Sequence, residues 1–222
     1  MKRVCLFMTL VCMMMVSCKL DGSDGKHEGH EYVDLGLSVK WATCNVGANA
    51  PEDYGHYFAW GETETKSEYT EGNSATYGLS ISELQSQGYI GGTYLLRFIN
   101  GAGNLNPQYD AAAANWGGDW RMPTKAEQQE LLNNCTWTWI RQNGVSGYNV
   151  EGPNGNSIFL PAAGDRYGSS LNNAGSFANY WSSTPIDDNY GSYAYNLNFG
   201  SVCQYVYGIR LDYGFSVRPV VE

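Results

Sequence analysis

Apolar positions in this chain fall into three patterns: one unbroken run at the start, a helical stretch near the middle, and short alternating segments elsewhere. Alternation is clearest in Tyr193, Tyr195, Leu197 and Phe199, which share one face of a strand, while Ser192, Ala194, Asn196 and Asn198 share the other. The same reasoning predicts strands over Lys40 to Val46, Tyr57 to Gly61, Ser157 to Leu160, Ser192 to Phe199, Val202 to Ile209 and Phe215 to Val220. Helical signals are fewer. Thr124 and Glu127 have the spacing of a capping box, and good helix formers follow until Asn133 and Asn134. A second short helix is predicted over Ala111 to Ala114, entered through Asn106 as cap and Pro107 at the first helical position. A third covers Ser80 to Gln87, where Ser80 and Glu83 form another box. Few helices among many short strands predict an α+β fold. Neither an internal repeat nor a linker divides Glu31 to Glu222, so one domain is expected there.

The initial run changes the picture of where the protein resides. Met1-Lys2-Arg3 is a short basic segment, and Val4 to Val16 is apolar but too short to span a bilayer as a mature helix, which is the build of a signal peptide over residues 1–17. Its end, Met15-Val16-Ser17-Cys18, resembles the lipobox at which bacterial lipoproteins are cleaved and acylated, with Met15 where leucine is usual. Cys18 would then carry the lipid, attaching the protein to a membrane that it does not cross. The alternative is ordinary secretion with Cys18 as a structural residue. Lys19 to His30 is rich in glycine and charge, so residues 18–30 are expected to be a flexible tether. His27-Glu28-Gly29-His30 lacks the four-residue helical spacing of a zinc-protease motif, and no metal site is expected. Acidic residues soon after Cys18 resemble surface-export signals of Bacteroidetes lipoproteins, which implies an outer-membrane or cell-surface location.

Composition narrows the partners. The 222 residues carry 13 Lys and Arg against 22 Asp and Glu, and the balance is more acidic still once Lys2 and Arg3 leave with the leader, so nucleic acid is disfavoured. Three cysteines, Cys44, Cys135 and Cys203, remain in the exported domain. One disulfide with one spare thiol is the simplest count in an oxidising compartment, with Cys44 and Cys135 as the expected pair. Three buried reduced thiols acting as small hydrophobes are the alternative.

Several segments, in this order, carry a resemblance that covers nearly all of Glu31 to Val221. They are Tyr32 to Leu37 (YVDLGL), Lys40 to Gly47 (KWATCNVG), Tyr57 to Glu62 (YFAWGE), Trp120 to Thr124 (WRMPT), Ile158 to Gly164 (IFLPAAG), Tyr180 to Ser183 (YWSS) and Gly214 to Val220 (GFSVRPV). Together they resemble the Fibrobacter succinogenes major paralogous domain, common in Bacteroidetes lipoproteins. That family is similar to the C-type-lectin-like and formylglycine-generating-enzyme fold, which implies a twisted mixed sheet with two or three short helices and long loops. Fold does not carry activity with it. The oxidases of this fold bind copper through paired late cysteines, and this chain has only Cys203 there. Calcium-dependent lectins carry contiguous Glu-Pro-Asn and Trp-Asn-Asp triplets, whereas here Glu151 and Pro153 are separated by Gly152 and Trp181 is followed by Ser182. No cofactor is therefore expected.

Catalysis is disfavoured for want of a constellation. The only histidine well inside the domain is His56, beside Tyr54 and Tyr57, and nothing pairs it with a nucleophile. Glu62, Glu64, Asp165, Asp187 and Asp188 could supply a glycosidase pair, yet no spacing brings two together. Binding has a stronger signal. Seven of the 17 tyrosines lie between Asn179 and Tyr213 among Asn, Ser, Asp and Gly, a mixture suited to adaptable recognition surfaces. The expected ligand contacts are Asp187, Asn189, Tyr190, Tyr205, Tyr207, Arg210, Asp212 and Tyr213, facing a protein or glycan at the cell surface. Trp181-Ser182-Ser183 and Arg218 read as scaffold. The same ending resembles variable proteins of diversity-generating retroelements, with Val202 to Tyr213 where diversification would fall. The alternatives are a structural envelope lipoprotein without a dedicated ligand, and a carbohydrate-active enzyme.

Overall fold

A computed structural model describes residues 24–77, 98–186 and 192–222. The leader, Cys18, the predicted helix at Ser80 to Gln87, and Asp187, Asp188, Asn189 and Tyr190 lie outside the described residues. The described chain is β-rich and broadly α+β, with small antiparallel sheets and short helices.

The first sheet begins inside the expected tether. Strands β1 (Gly25–His27) and β2 (His30–Val33) form a hairpin whose two loop residues, Glu28 and Gly29, have φ of 47° and 82°, the pattern of a type I′ turn. The glycine and charge that suggest a flexible segment here serve this turn, so residues 25–30 are structured and not tether. Two rings hold the hairpin down: the His27 carbonyl accepts the Trp120 indole N–H at 2.9 Å, and His30 stacks on Trp116 at 3.8 Å between centroids. Strand β3 (Lys40–Ala42) joins β2 to β12 (Val220–Val221), bringing both ends of the domain into one sheet. Only Lys40–Ala42 of the expected strand Lys40 to Val46 is extended in a ladder, and Phe215 to Val220 contributes mainly single bridges. Tyr57 to Gly61 is likewise no strand; Phe58 bridges Phe215 once.

Among the described residues two α-helices follow, α1 (Ala111–Trp116) and α2 (Lys125–Asn134). The capping box of α2 is as predicted: the Glu127 N–H donates to Thr124 Oγ1 at 3.2 Å, and Glu127 Oε2 accepts the Thr124 N–H at 2.7 Å. Asn106 does not cap α1. Pro107–Tyr109 forms a separate 3₁₀ turn, and Asp110 takes the cap, accepting the N–H groups of Ala112 and Ala113.

Three further sheets lie among the described residues. Strands β4 (Thr136–Gln142), β5 (Val145–Glu151) and β6 (Ser157–Pro161) form a meander, and β7 (Asp165–Tyr167) pairs with β8 (Ser170–Asn172). Strands β9 (Phe177–Pro185), β10 (Tyr193–Gly200) and β11 (Cys203–Arg210) form the third sheet, with β10 central. Every ladder is antiparallel, and the parallel pairings among the described residues are the isolated bridges Gly164 to Ala178 and Tyr180 to Ser216, so the expected mixed sheet is replaced by separate antiparallel ones.

The core lies on both faces of this third sheet. Tyr180, Leu197 and Phe199 enter a cluster with Trp41, Leu131 and Tyr148, while Trp181 and Ala194 enter another with Trp60, Leu211 and Phe215. The alternation holds, and both faces are buried, including the one that carries Asn196 and Asn198. Both are buried, with Asn198 Nδ2 donating to Ala178 O and Asn179 Oδ1, and Asn196 Nδ2 to Tyr207 O. Hydrogen bonding to neighbouring strands makes the burial of these amides tolerable. Two indoles lock the irregular segment before residue 62 onto β9: Trp60 Nε1 donates to Ser182 O and Trp181 Nε1 to Phe58 O. Trp181, Ser182 and Ser183 are buried, as expected for scaffold.

Cys44 and Cys135 are free thiols, as is Cys203, which corrects the expected disulfide. Cys135 ends α2 and packs into the cluster around Leu131, whereas Cys44 follows β3 and receives the Thr43 hydroxyl. Burial, reinforced by the charge of Glu130, pushes the Cys135 thiol up to about 11, where it is a poor nucleophile at neutral pH. Unreduced protein from Lys19 onward is expected to titrate three thiols after denaturation, with Cys135 among the slow ones before it. A titre of one would restore a disulfide.

Candidate functional site

Strand β11 carries its tyrosines and its arginine to different environments. Tyr205 lies opposite Asn198 and is 46% exposed, while Tyr207 lies opposite Asn196 and is half-buried. Their rings are 5.4 Å apart. Burial raises the Tyr207 hydroxyl above the usual phenol range, and the nearby Tyr205, Asp165 and Tyr213 push the same way. Tyr207 is therefore an uncharged phenol at neutral pH, and both rings can stack.

Arg210 ends β11 and organises what surrounds it. Its Nε and Nη2 donate to Asp212 Oδ1 and Oδ2 at 3.0 and 2.8 Å, and Nη1 lies 2.6 Å from Glu71 Oε1. Three tyrosine rings surround the guanidinium, with centroids 5.3 Å (Tyr77), 5.5 Å (Tyr213) and 5.7 Å (Tyr167) away. The Asp212 hydrogen bonds raise the arginine's affinity for its proton, so its charge is permanent. Tyr167 and Tyr213 stack on each other at 4.9 Å and 24°, with Tyr167 45% exposed. Tyr213 and Tyr77 are both shifted upward by burial, an effect that Arg210 partly offsets.

The predicted residues thus separate into roles. Tyr205, Tyr207, Arg210 and Tyr213 come together on and beside β11, with Tyr205 the most open. Asp212 is 0% exposed with both oxygens held by Arg210, so it positions the arginine and is not a surface contact. Glu71, Tyr77 and Tyr167 belong to the same cluster and arrive from distant parts of the chain. No periodicity in the sequence marks them; the folding of β7 beside Gly214 brings Tyr167 to Tyr213.

The other candidate chemistries are dispersed. His56 is exposed, with its ring 6.2 Å from Phe58. Glu62 is held by Lys66 at 2.9 Å and by the Ala75 N–H, and Asp165 is buried with Asn172 and Asn173 donating to it. His27 and His30 serve the hairpin, and burial lowers the pKa of His30. Among the described residues, no group of three or more His, Cys, Asp or Glu is placed to hold a metal ion, and no helix is long and apolar enough to cross a membrane. No family model matches the chain, and neither the curated proteins nor the solved structures give a match.

Proposed function

We propose that this chain is a non-catalytic, lipid-anchored protein of the bacterial outer membrane or cell surface, whose C-type-lectin-like domain binds a protein or glycan through the tyrosines around Arg210. The leader and Cys18 support the anchorage, and the ordered motifs resembling the Fibrobacter succinogenes major paralogous domain support the family reading. The observation that carries the binding role is the rigid mounting of an open aromatic surface. Tyr167 and Tyr205 are nearly half exposed; Tyr213, Asp212 and Glu71 fix the guanidinium beside Tyr167, and Tyr205 rests on Tyr207 farther along the strand. Aromatic rings on a fixed support offer contact area at low entropic cost, and residues of this kind dominate the energetics of many interfaces.

The test is binding of Lys19 to Glu222 to arrays of host and microbial glycans and surface proteins, beside a Tyr167→Ala/Tyr205→Ala variant. Because both side chains are nearly half exposed and rest on the edge of the fold, the variant is expected to stay folded, with its melting point checked beside the parent's, and to bind at least tenfold more weakly, about 1.4 kcal/mol or more. Hits that survive the double substitution, or an absence of hits, would favour a structural envelope protein without a dedicated ligand.

A further inference from the structure

A second opening lies away from the tyrosines, with a volume of about 620 Å³. It sits between the N-terminal hairpin, the loop before α1, the start of α2 and the end of β12, and its size falls in the range of small-molecule sites. Leu105, Pro107 and Val221 give it apolar wall. Trp120 and His27 line it too, with the Trp120 indole N–H held by the His27 carbonyl.

The charge of the opening selects further. Asp110 lines it while only 2% exposed, and Asp119 and Glu222 line it from exposed positions. Arg121 also lines it, but its guanidinium is held in two-point contact by Glu127 at 2.7 and 2.8 Å, with Glu222 a further 4.0 Å away. His27 Nε2 accepts the Asp119 N–H at 3.3 Å. The balance is acidic, which repels anions. Asp110 moreover has unused acceptor capacity. Its Oδ1 receives the N–H groups of Ala112, Ala113 and Met122, whereas Oδ2 receives only a share of the Met122 N–H at 2.9 Å. A carboxylate has about four lone-pair positions, so Oδ2 can take another donor.

We infer that this opening binds an aliphatic organic cation, an alkylamine or alkylguanidine whose charged head meets Asp110 and whose methylene stem lies along Leu105, Pro107 and Val221. Asp119 and Glu222 receive a second positive end where the ligand has one. The site is independent of the tyrosine surface and makes the domain a receptor for two kinds of ligand.

Titration calorimetry of the mature chain in neutral detergent at low ionic strength tests this, with cadaverine and agmatine as probes and 1-pentanol and glutarate as controls. Both cations are expected to bind saturably at one site and the controls not at all. Asp119→Asn/Glu222→Gln, which alters only exposed carboxylates, is expected to weaken cadaverine at least tenfold, whereas Tyr167→Ala/Tyr205→Ala leaves it unchanged. Failure of both cations to bind, equal binding of pentanol or glutarate, or indifference to the carboxylate substitutions would overturn the inference. Loss of cadaverine in the tyrosine variant instead would move the amine to the rings around Arg210 and overturn it equally.

Discussion

Replacing Arg218 by alanine is expected to destabilise the domain by about 3–5 kcal/mol, a large share of the about 5–15 kcal/mol typical of a folded domain. The side chain is 1% exposed and ties three separate stretches together. Nε donates to Asn45 Oδ1 at 2.8 Å, Nη1 to the carbonyls of Ala42 and Thr43 at 3.1 and 2.9 Å, and Nη2 to the Phe159 carbonyl at 3.0 Å. Asn45 in turn donates to the Tyr54 carbonyl and to the Tyr180 hydroxyl. Removal of the guanidinium strips these acceptors of their donor where water has little access, and each unsatisfied buried group costs about 1–3 kcal/mol. Arg218→Lys keeps the charge but has no planar fork to serve acceptors on three sides, so its loss should be intermediate or equal. Urea unfolding followed by tryptophan fluorescence measures both, and an unchanged midpoint for Arg218→Ala would show that the fork holds nothing together.

Arg218 illustrates what the sequence discloses and what it withholds. Its role as scaffold is legible because an arginine within an apolar C-terminal strand pattern needs acceptors, whether aspartate or backbone carbonyls. Which acceptors cannot be read, since Ala42 and Phe159 meet it only through tertiary packing. Local signals carried well: the Thr124/Glu127 box forms as spaced, and Ser157–Pro161, Tyr193–Gly200 and Cys203–Arg210 fall close to their expected strands. Asn143-Gly144 between β4 and β5 was equally legible, with φ of 47° and 89° at a two-residue turn, yet the hairpin it closes is absent from the strands expected from alternation. Trp137 and Trp139 alternate with Thr136 and Thr138 there as plainly as the residues of β10 do. The site divides in the same way. Tyr205 is exposed on its strand as composition suggests, but Tyr77, Tyr167 and Glu71 reach Arg210 across breaks in the chain that no local pattern spans. The composition around Asp212 suggests a surface contact, yet the residue is buried, and its bidentate pairing with Arg210 is what allows it to be.

Replacing Asp110 by alanine is expected to be nearly as damaging, about 2–4 kcal/mol, and here the dependence on pH separates cap from charge. The alanine removes the acceptor that serves the first turn of α1 and the Met122 N–H together, so it frees the helix and unfastens the residues leading into α2. Burial pushes the Asp110 carboxyl up to about 6, against the pull of those N–H groups and of Arg121. A carboxyl with a raised pKa is protonated more readily in the folded than in the unfolded chain. Its favourable contribution is therefore complete below about pH 4 and is lost as pH rises through about 6, an effect of about 3 kcal/mol for a shift of this size. Asp110→Asn keeps one oxygen for the N–H groups and carries no charge to desolvate, so its stability should stay flat across that window while that of the parent declines. The difference between parent and Asp110→Asn should consequently move in favour of the variant between pH 4 and 7, and Asp110→Ala should lie below both throughout. Parallel unfolding curves for parent and Asp110→Asn at every pH would mean that the backbone N–H groups fully offset the burial of the charge. In that case Asp110 titrates in the folded chain as an ordinary aspartate does and is ionised above about pH 5, so an amine in the adjoining opening would meet a full negative charge even in mildly acidic surroundings.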